Sequence, residues 1–199
     1  MKQEKTNIVS MTGELLNAFT FAYEFKGERF MTSTIKIERD SGTYDYLPLI
    51  VSDRLLSSYG NTGDFITVDG QLRTYNKSKN VYLMVFVTDC YIWTNAEYND
   101  NYVSLEGFIC KPVNKRITPK HREVAEVLLA VNRSYGKSDY IPCIVWGRNA
   151  RFVDGLPIGT KIEIKGRLQS REYWKKDLSG SKYYKTTYEV STSTINIKE

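Results

Sequence analysis

Apolar and polar residues alternate with a period of two along most of this chain, as they do in strands with one buried face. The stretches "NIVSMTGEL" (7–15) and "YVSLEGFI" (102–109) show the alternation, and "KIEIKGRLQSREYW" (161–174) sustains it over a long run. Tyr, Val, Ile and Thr are frequent in these segments, as is typical of strands. "SGSK" (179–182) supplies a turn after the long run and predicts a hairpin. The pattern therefore predicts an all-β protein.

The same pattern occurs twice in the chain. "NIVSMTGEL" (7–15) matches "NYVSLEGFI" (101–109), and "DYLPLIV" (45–51) matches "DYIPCIV" (139–145), both at a shift of 94. Later matches have a shift of 96, so a short insertion separates them. Ordered matches at a nearly constant shift indicate an internal duplication.

The duplication predicts two homologous domains, at residues 1–94 and 102–199, joined by a polar linker at 95–101. It also decides an ambiguous segment. "REVAEVLLAVN" (122–132) has apolar residues at helical spacing, but its partner in the first copy is β-branched and strand-like. Because homologous domains share their elements, we predict a strand in both copies.

Each copy is predicted to contain five strands, with a short helix between the third and the fourth at 53–60 and 148–156. Five strands with one helix in about 100 residues is the order of an OB-fold, a small and partly open Greek-key barrel. We therefore predict two tandem OB-folds, and a different small barrel, such as an SH3-like one, is the alternative. Gly107 and Gly166 lie inside strand segments, where glycine is typical of a bend or bulge.

The positive charge of the chain lies in its second half. The first 94 residues carry 10 Lys and Arg against 11 Asp and Glu, and the remaining 105 residues carry 18 against 12. An asymmetry of this kind is expected when one domain binds a polyanion, although a basic soluble domain without such a partner is the alternative.

No pattern in the sequence indicates an enzyme, a metal site or a cofactor. Cys90, Cys110 and Cys143 form no C-x-x-C pair, and His121 has no ligand partner nearby in sequence. Nucleophile motifs, phosphate loops and carboxylate pairs are also missing. No apolar run reaches about 18 residues and no signal-peptide core is visible, so we expect a cytoplasmic, nucleoid-associated protein without a membrane span.

Several stretches of the second copy stand in a characteristic order. These are "VSLEGFI" (103–109), "AVNRSY" (130–135), "SDYIPCIVWG" (138–147), "GTKIEIKGRLQSREY" (159–173) and "SKYYKTTYEV" (181–190). Together they resemble the bacterial and phage single-stranded DNA-binding protein family, the OB-fold proteins of replication. The first copy resembles this family more faintly. The resemblance implies a protein that coats single-stranded DNA with little sequence preference in DNA replication, recombination and repair.

Aromatic side chains are the candidate base contacts. Members of the family stack bases on a few aromatic rings. By motif position, the resemblance implies that the stacking residues here are Tyr135, Tyr140, Trp146 and Tyr173. Trp174 is a further candidate because the loop between the last two strands carries both aromatic and basic residues. Stacking of an aromatic ring on a base contributes about 1–3 kcal/mol and tolerates any sequence. The alternative for any single Tyr is half-buried packing on a strand.

Lys and Arg are the candidate phosphate contacts, because they neutralise phosphate charge and release counterions. In the second copy they are interleaved with the aromatic candidates. The predicted phosphate contacts are Arg133, Lys137, Arg148, Lys165, Arg167, Arg171, Lys175, Lys176, Lys115 and Arg116. Residues two apart on a strand share a face, so Arg171 and Tyr173 are expected on one side.

The first copy has lost part of the stacking set. Ser41 stands opposite Tyr135, and Ser52 stands opposite Trp146. Its remaining candidates, predicted as weaker contacts, are Arg39, Tyr46, Arg73 and Tyr75. We therefore expect the first copy to bind weakly or to provide dimer contacts.

The resemblance also raises expectations about partners. Typical family members form tetramers of single OB-folds, so a homodimer of this chain is expected to supply four. Replication and recombination proteins are further expected partners. The sequence ends at "STINIKE" without an acidic tip, so recruitment through such a tail is not expected. Two alternatives remain: a primosomal or recombination accessory protein that uses its OB-folds to bind other proteins, and a single-stranded RNA-binding OB protein.

Overall fold

The computed structural model describes residues 6–77, 80–93, 99–176 and 180–198. Within these ranges the chain forms twelve strands, one 3-10 turn and one α-helix. In chain order the elements are β1 (Asn7–Leu15), β2 (Thr20–Phe25), β3 (Glu28–Glu38), β4 (Tyr44–Ser52), the 3-10 turn (Asp53–Leu55), β5 (Phe65–Lys77), β6 (Asn80–Trp93), β7 (Asp100–Ile109), β8 (Asn114–Ile117), β9 (Glu123–Asn132), β10 (Ser138–Trp146), α1 (Gly147–Val153), β11 (Lys161–Lys176) and β12 (Lys182–Ile197).

The two halves, β1–β6 and β7–β12, repeat one topology. In each half the first strand pairs antiparallel with both the third and the fifth, and the third pairs antiparallel with the fourth. The fourth and sixth strands run parallel, and the fifth and sixth form a long hairpin. A five-stranded barrel closed in this order is an OB-fold. The prediction of an all-β chain with two OB-folds, each with a short helical segment after its third barrel strand, is confirmed.

Each half has one strand more than the sequence pattern predicts. β2 and β8 are the additional strands, and they pair with β3 and β9 at the two edges of the sheet. Every residue of β2 and of β8 is exposed. A strand exposed on both faces does not need an alternation of apolar and polar residues, so the sequence pattern indicates neither β2 nor β8.

The segment with helical spacing is strand β9, as the duplication predicts. β9 pairs with β10 from Ser138↔Asn132 to Trp146↔Val124. Its inward face is buried in the core, while Leu128 and Ala130 on its outward face are half-buried. Apolar residues on both faces of a strand can imitate helical spacing, and the cross-strand pairing outweighs that local preference.

The first strands of the two halves join them into one twelve-stranded sheet. β1 and β7 pair antiparallel from Asn7↔Leu105 to Thr12↔Asp100. Most of the buried apolar residues of both halves form a single cluster. Of the expected linker 95–101, residues 95–98 lie outside the described residues, and β7 already begins at Asp100.

A buried carboxylate from each half also binds the other half. Asp139 on β10 forms an ion pair with Arg133 and accepts a hydrogen bond of 2.6 Å from the backbone N–H of Thr74 on β5. This group of three residues is called the Asp139 clasp. The hydrogen bond to Asp139 raises the pKa of Arg133 above its ordinary value. The guanidinium also donates to the carbonyl oxygen of Thr74 at 3.1 Å.

The same arrangement recurs with the roles of the halves exchanged. Asp45 pairs with Arg39 and accepts a hydrogen bond of 2.7 Å from the backbone N–H of Ser170 on β11. These residues form the Asp45 clasp, and the hydrogen bond to Asp45 raises the pKa of Arg39. The repeated Asp of the two "DY(L/I)P" stretches therefore holds the halves together.

Glycines allow the fifth strand of each half to bend. The register of β11 against β12 shifts at Lys165/Gly166, and that of β5 against β6 shifts at Asp69/Gly70. A Cβ atom on Gly166 would lie 2.1 Å from the carbonyl oxygen of Ser191, so no larger residue fits without backbone movement. Gly107 similarly allows β7 to approach β9, because its Cβ would lie 2.4 Å from the carbonyl oxygen of Ala130.

Candidate nucleic-acid interface

A groove of about 550 Å³ crosses the outward face of the second half. It is called the C-terminal groove, and its main lining residues are Thr74, Tyr82, Tyr140, Tyr173, Lys175, Tyr184 and Tyr188. Two of the predicted base contacts, Tyr140 and Tyr173, are thus brought together from β10 and β11. Lys175 is exposed at the same place, so the groove combines aromatic faces with a positive charge.

Trp146 lies on the same face of β10 as Tyr140. The two side chains are six residues apart, which corresponds to about 20 Å along a strand. Tyr140 is 51% exposed and Trp146 is 39% exposed, whereas the residues between them on this face are at least half-buried. Trp146 therefore has a ring surface that is accessible from solvent.

A second, smaller groove of about 330 Å³ continues along β10 from Tyr140 towards Trp146. It is called the β10 groove, and it is lined by Lys111, Glu126, Leu128, Pro142, Ile144 and Arg171 among others. Leu128 and Pro142 line both grooves, so the two are continuous.

The hairpin of β11 and β12 carries the remaining aromatic candidates. Trp174 pairs with Tyr184 across the hairpin, and their ring centroids lie 3.7 Å apart with an interplanar angle of 39°. Both side chains are exposed, so the pair offers a broad aromatic surface above the groove. Tyr173 is paired with Lys185 on the neighbouring rung.

Four tyrosines that line the C-terminal groove were not among the residues predicted from the sequence. Tyr183, Tyr184 and Tyr188 come from β12, within the "SKYYKTTYEV" stretch that carries part of the family resemblance. Tyr82 comes from β6 of the first half. Alternation along β12 could have indicated Tyr184, but a contribution from the other half depends on how the halves pack.

Tyr135 lies outside these grooves. It occupies the turn between β9 and β10 and is 91% exposed. Lys137 is exposed in the same turn. The two side chains are accessible, but the described contacts do not bring them into the groove that holds Tyr140.

Five of the ten predicted phosphate contacts have carboxylate partners among the described residues. The ion pairs are Arg133–Asp139, Arg171–Glu189, Lys115–Asp154, Arg116–Glu126 and Lys165–Glu163, with N···O distances from 2.5 to 3.7 Å. Among the described residues, Lys137, Arg148 and Lys175 have no carboxylate within ion-pair distance of their charged nitrogens. The side chain of Lys176 lies outside the described residues.

Arg167 lies at a different surface. It lines a cavity of about 480 Å³ between the halves, together with Glu38, Asp40 and Asp100. The Arg39–Asp45 ion pair also lines this cavity. Four carboxylates against two guanidinium groups leave the cavity negatively charged, which disfavours a phosphate. Arg167 and Arg171 both belong to β11, but they line different cavities.

In the first half, Arg39 belongs to the Asp45 clasp, and Tyr46 is exposed at the position equivalent to Tyr140. Arg73 lies over the ring of Phe86, with its guanidinium 3.6 Å from the ring centroid. Tyr75 stacks on Tyr82 with a centroid distance of 5.1 Å.

The described residues contain no group of three or more His, Cys, Asp and Glu side chains placed to hold a metal ion. In the same part of the chain, no helix is long and apolar enough to cross a membrane. Burial raises the pKa of the Cys90 thiol to about 11, and it raises the pKa of Cys143 as well. Both thiols are therefore protonated at neutral pH.

The paired grooves and the two barrels define a tandem OB-fold protein with an aromatic and basic binding face. The sequence of residues 100–197 matches the family model that is described as "Single-strand binding protein family". Single-stranded DNA-binding protein 1 of Streptococcus pyogenes is 33% identical over 106 residues, which cover 50% of this chain and 78% of that protein. The chain belongs to the single-strand binding protein family.

Two further comparisons concern the sequence of the second half and the fold of the whole chain. Single-stranded DNA-binding protein A of Bacillus subtilis is 38% identical over 80 residues, which cover 37% of this chain and 46% of that protein. The wild-type single-stranded DNA binding protein from Thermus aquaticus superposes with a TM-score of 0.77 at 19% identity. That superposition covers 97% of this chain and 93% of the Thermus chain, so it extends the shared fold over both halves.

Proposed function

We propose that this protein binds and coats single-stranded DNA, without catalysis, in DNA replication, recombination and repair. The observation that carries the proposal is the C-terminal groove, which places Tyr140, Tyr173 and Lys175 on one open face. Family membership over residues 100–197 supports it independently.

The chemistry of the groove suits a single strand with any sequence. Every base has a π-face, so rings such as Tyr140 and Tyr173 can stack on bases without reading their edges. Lys175 supplies a positive charge for a phosphate, and each neutralised phosphate releases counterions. A duplex keeps its bases stacked inside, so it offers no base faces to these rings.

The base contacts that the geometry supports best are Tyr140, Tyr173, the Trp174–Tyr184 pair and Trp146. Tyr135 contributes as an exposed ring at the end of the same strand pair. For the phosphates we propose Lys137, Arg148 and Lys175 first, because they have no carboxylate partner among the described residues. Arg133 acts in the Asp139 clasp and positions Thr74 at the edge of the groove.

We further propose that the chain divides into two domains at the linker 95–101 and that the second domain provides the main DNA contacts. A homodimer would bring four OB-folds together, and the molar mass in solution tests this. A strictly monomeric mass would contradict it. A protein that coats single-stranded DNA acts where that DNA is exposed, so we place this one in the cytoplasm with the nucleoid.

The test is a fluorescence titration with oligo-dT at low and at high salt. Because Trp174 and Trp146 are exposed, stacking of bases should quench their emission, and the affinity should fall as salt rises. Oligo-U and a duplex of equal length serve as competitors. Absence of quenching together with absence of binding would refute the proposal. Tighter binding to oligo-U would assign the protein to RNA, and tight binding to a helicase or recombinase without DNA binding would support an accessory role.

A further inference from the structure

The first half has an aromatic cluster at the place where Trp146 stands in the second half. In the second half, the rung between β9 and β10 pairs Val124 with Trp146. The equivalent rung between β3 and β4 pairs Phe30 with Ser52. At this rung the aromatic residue therefore lies on β3 in the first half, whereas in the second half it lies on β10, which is equivalent to β4.

Ser52 does not compensate for the lost ring, because its hydroxyl is used within the chain. It donates to a carboxylate oxygen of Glu28 and accepts from the backbone N–H of Arg54 at 3.4 Å, at the start of the 3-10 turn. The serine is buried. Its role is local, and any stacking surface at this end of the first half has to come from Phe30 and its neighbours.

Phe30 supports a layer of rings that reaches the surface. Tyr23 on β2 stacks on Phe30 with a centroid distance of 5.0 Å and an interplanar angle of 18°, and Phe86 lies 5.9 Å from Phe30. Phe30 is almost fully buried, whereas Tyr23 is 43% exposed. The edge strand β2 thus places a supported tyrosine ring where solvent can reach it.

Arg73 adds a cation to this aromatic layer. Its guanidinium lies 3.6 Å from the ring centroid of Phe86, and no carboxylate forms an ion pair with it among the described residues. One terminal nitrogen donates to Gln71 at 3.2 Å, while Nε is buried without a hydrogen-bond partner in this part of the chain. Burial, and then the nearby charge of Arg133, lower the pKa of Arg73. The carboxylate of Asp139 acts on Arg73 only from a distance, without an ion pair. A half-buried cation that is not directly paired with a carboxylate is suited to an anionic ligand.

These residues line an open groove of about 580 Å³, called the N-terminal groove: Tyr23, Thr32, Ile50, Arg73, Tyr75 and Phe86. Thr74 lines both this groove and the C-terminal groove. The stacked Tyr75–Tyr82 pair spans the same boundary, since Tyr75 lines the first groove and Tyr82 the second. The two grooves are therefore continuous.

We propose that the N-terminal groove is a second site for single-stranded DNA, in which Tyr23 and Tyr75 stack on bases and Arg73 binds a phosphate or a base. The strand enters it from the C-terminal groove across the Tyr75–Tyr82 pair. The first half is then a full binding domain with a different set of aromatic residues. This proposal rests on the single-strand binding proposed above and adds a second site to it.

The test is the number of nucleotides that one chain covers on poly-dT, measured for the wild type and for Tyr23→Ala and Arg73→Gln. One OB-fold covers about 4–16 nucleotides, so loss of the second site should roughly halve the covered length. The affinity for an oligo-dT of about 35 nucleotides should fall about five- to tenfold, while that for about 10 nucleotides stays unchanged. Tyr91→Ala is the matched control, because Tyr91 is an exposed tyrosine that lines none of these grooves.

A second measurement is independent of the variants. Photo-crosslinking of wild-type protein to an iodouracil-substituted strand should label Tyr23, Tyr75 or Phe86. If Tyr23→Ala fails to fold, Arg73→Gln decides, since it breaks no ion pair among the described residues. Unchanged coverage and affinity in the variants, without crosslinks in the N-terminal groove, would overturn this site while leaving the proposed function intact. Absence of any poly-dT binding by the wild type would refute both.

Discussion

The carboxylate of Asp139 in the second half accepts a hydrogen bond of 2.6 Å from the backbone N–H of Thr74 in the first half. Thr74 lies where the N-terminal and C-terminal grooves meet. The contact therefore fixes the backbone at the point where a bound strand would cross from one half to the other. Asp45 and Ser170 repeat it at the related position.

Breaking one clasp should destabilise the whole chain. Asp139 is 1% exposed, and Asp139→Asn leaves the Arg133 guanidinium without its counter-charge. Removal of one partner from a buried ion pair costs about 3 kcal/mol or more, measured as the free energy of unfolding in urea. Asp45→Asn should cost a similar amount. Glu126→Gln, which removes the exposed Arg116–Glu126 pair, should change the free energy by less than about 1 kcal/mol, and an equal effect of all three would contradict the role of the clasps.

Trp146→Ala should weaken binding of oligo-dT by about 1–3 kcal/mol, because it removes one exposed stacking ring from the face of β10. Anisotropy titration with a labelled oligonucleotide gives the affinity, and circular dichroism checks the fold. Tyr91→Ala is the comparison, since it removes an exposed ring away from the grooves. An affinity equal to that of the wild type in a folded Trp146→Ala protein would exclude a base contact at this position.

Lys175→Gln should reduce the salt dependence of binding. A lysine that neutralises one phosphate of a single strand contributes about 0.7 to the slope of log affinity against log salt concentration. The slope is obtained from titrations at several salt concentrations. Lys198→Gln should leave the slope unchanged, because Lys198 follows β12 and lies 3.8 Å from its partner Glu163. Equal slopes for both variants and the wild type would show that Lys175 does not contact a phosphate.

Gly166→Ala should destabilise the second barrel by about 1–3 kcal/mol, because the added Cβ would lie 2.1 Å from a backbone oxygen across the bulge. Thermal unfolding followed by circular dichroism measures the change. At Gly155, which follows α1, a Cβ would meet no atom within 4 Å. Gly155→Ala should therefore be neutral or slightly stabilising, and the interpretation of the bulge is wrong if the two variants melt alike.

Alkaline pH should lower stability partly through Cys90. Burial raises the pKa of its thiol in the folded chain from the ordinary value of 9.0 to about 11. Between these values the unfolded chain has lost the proton that the folded chain keeps, so the free energy of unfolding falls as the pH rises. Urea denaturation at about pH 8.5 and about pH 10.5 should show a larger loss for the wild type than for Cys90→Ala. Parallel losses in the two proteins would show that Cys90 does not contribute.

Much of the fold was predictable because it depends on local alternation and on repetition. The period of two in "KIEIKGRLQSREYW" predicts β11, and the duplication correctly assigns β9 as a strand against its helical spacing. β2 and β8 were not predicted, because strands exposed on both faces do not need an alternation. Arg133 and Asp139 can be read from the sequence, but nothing in the sequence indicates that both bind the backbone of Thr74 in the other half.

The sequence by itself determined the two OB-folds and a face of β10 that carries Tyr140 and Trp146, since a strand places every second residue on one side. Only the tertiary structure decided which basic residues are already paired with carboxylates. It also decided that Tyr82 joins the C-terminal groove and that Tyr23, Phe30 and Arg73 form one cluster. Such contacts join strands that are distant in the chain, and their geometry depends on the twist and closure of each barrel rather than on local sequence.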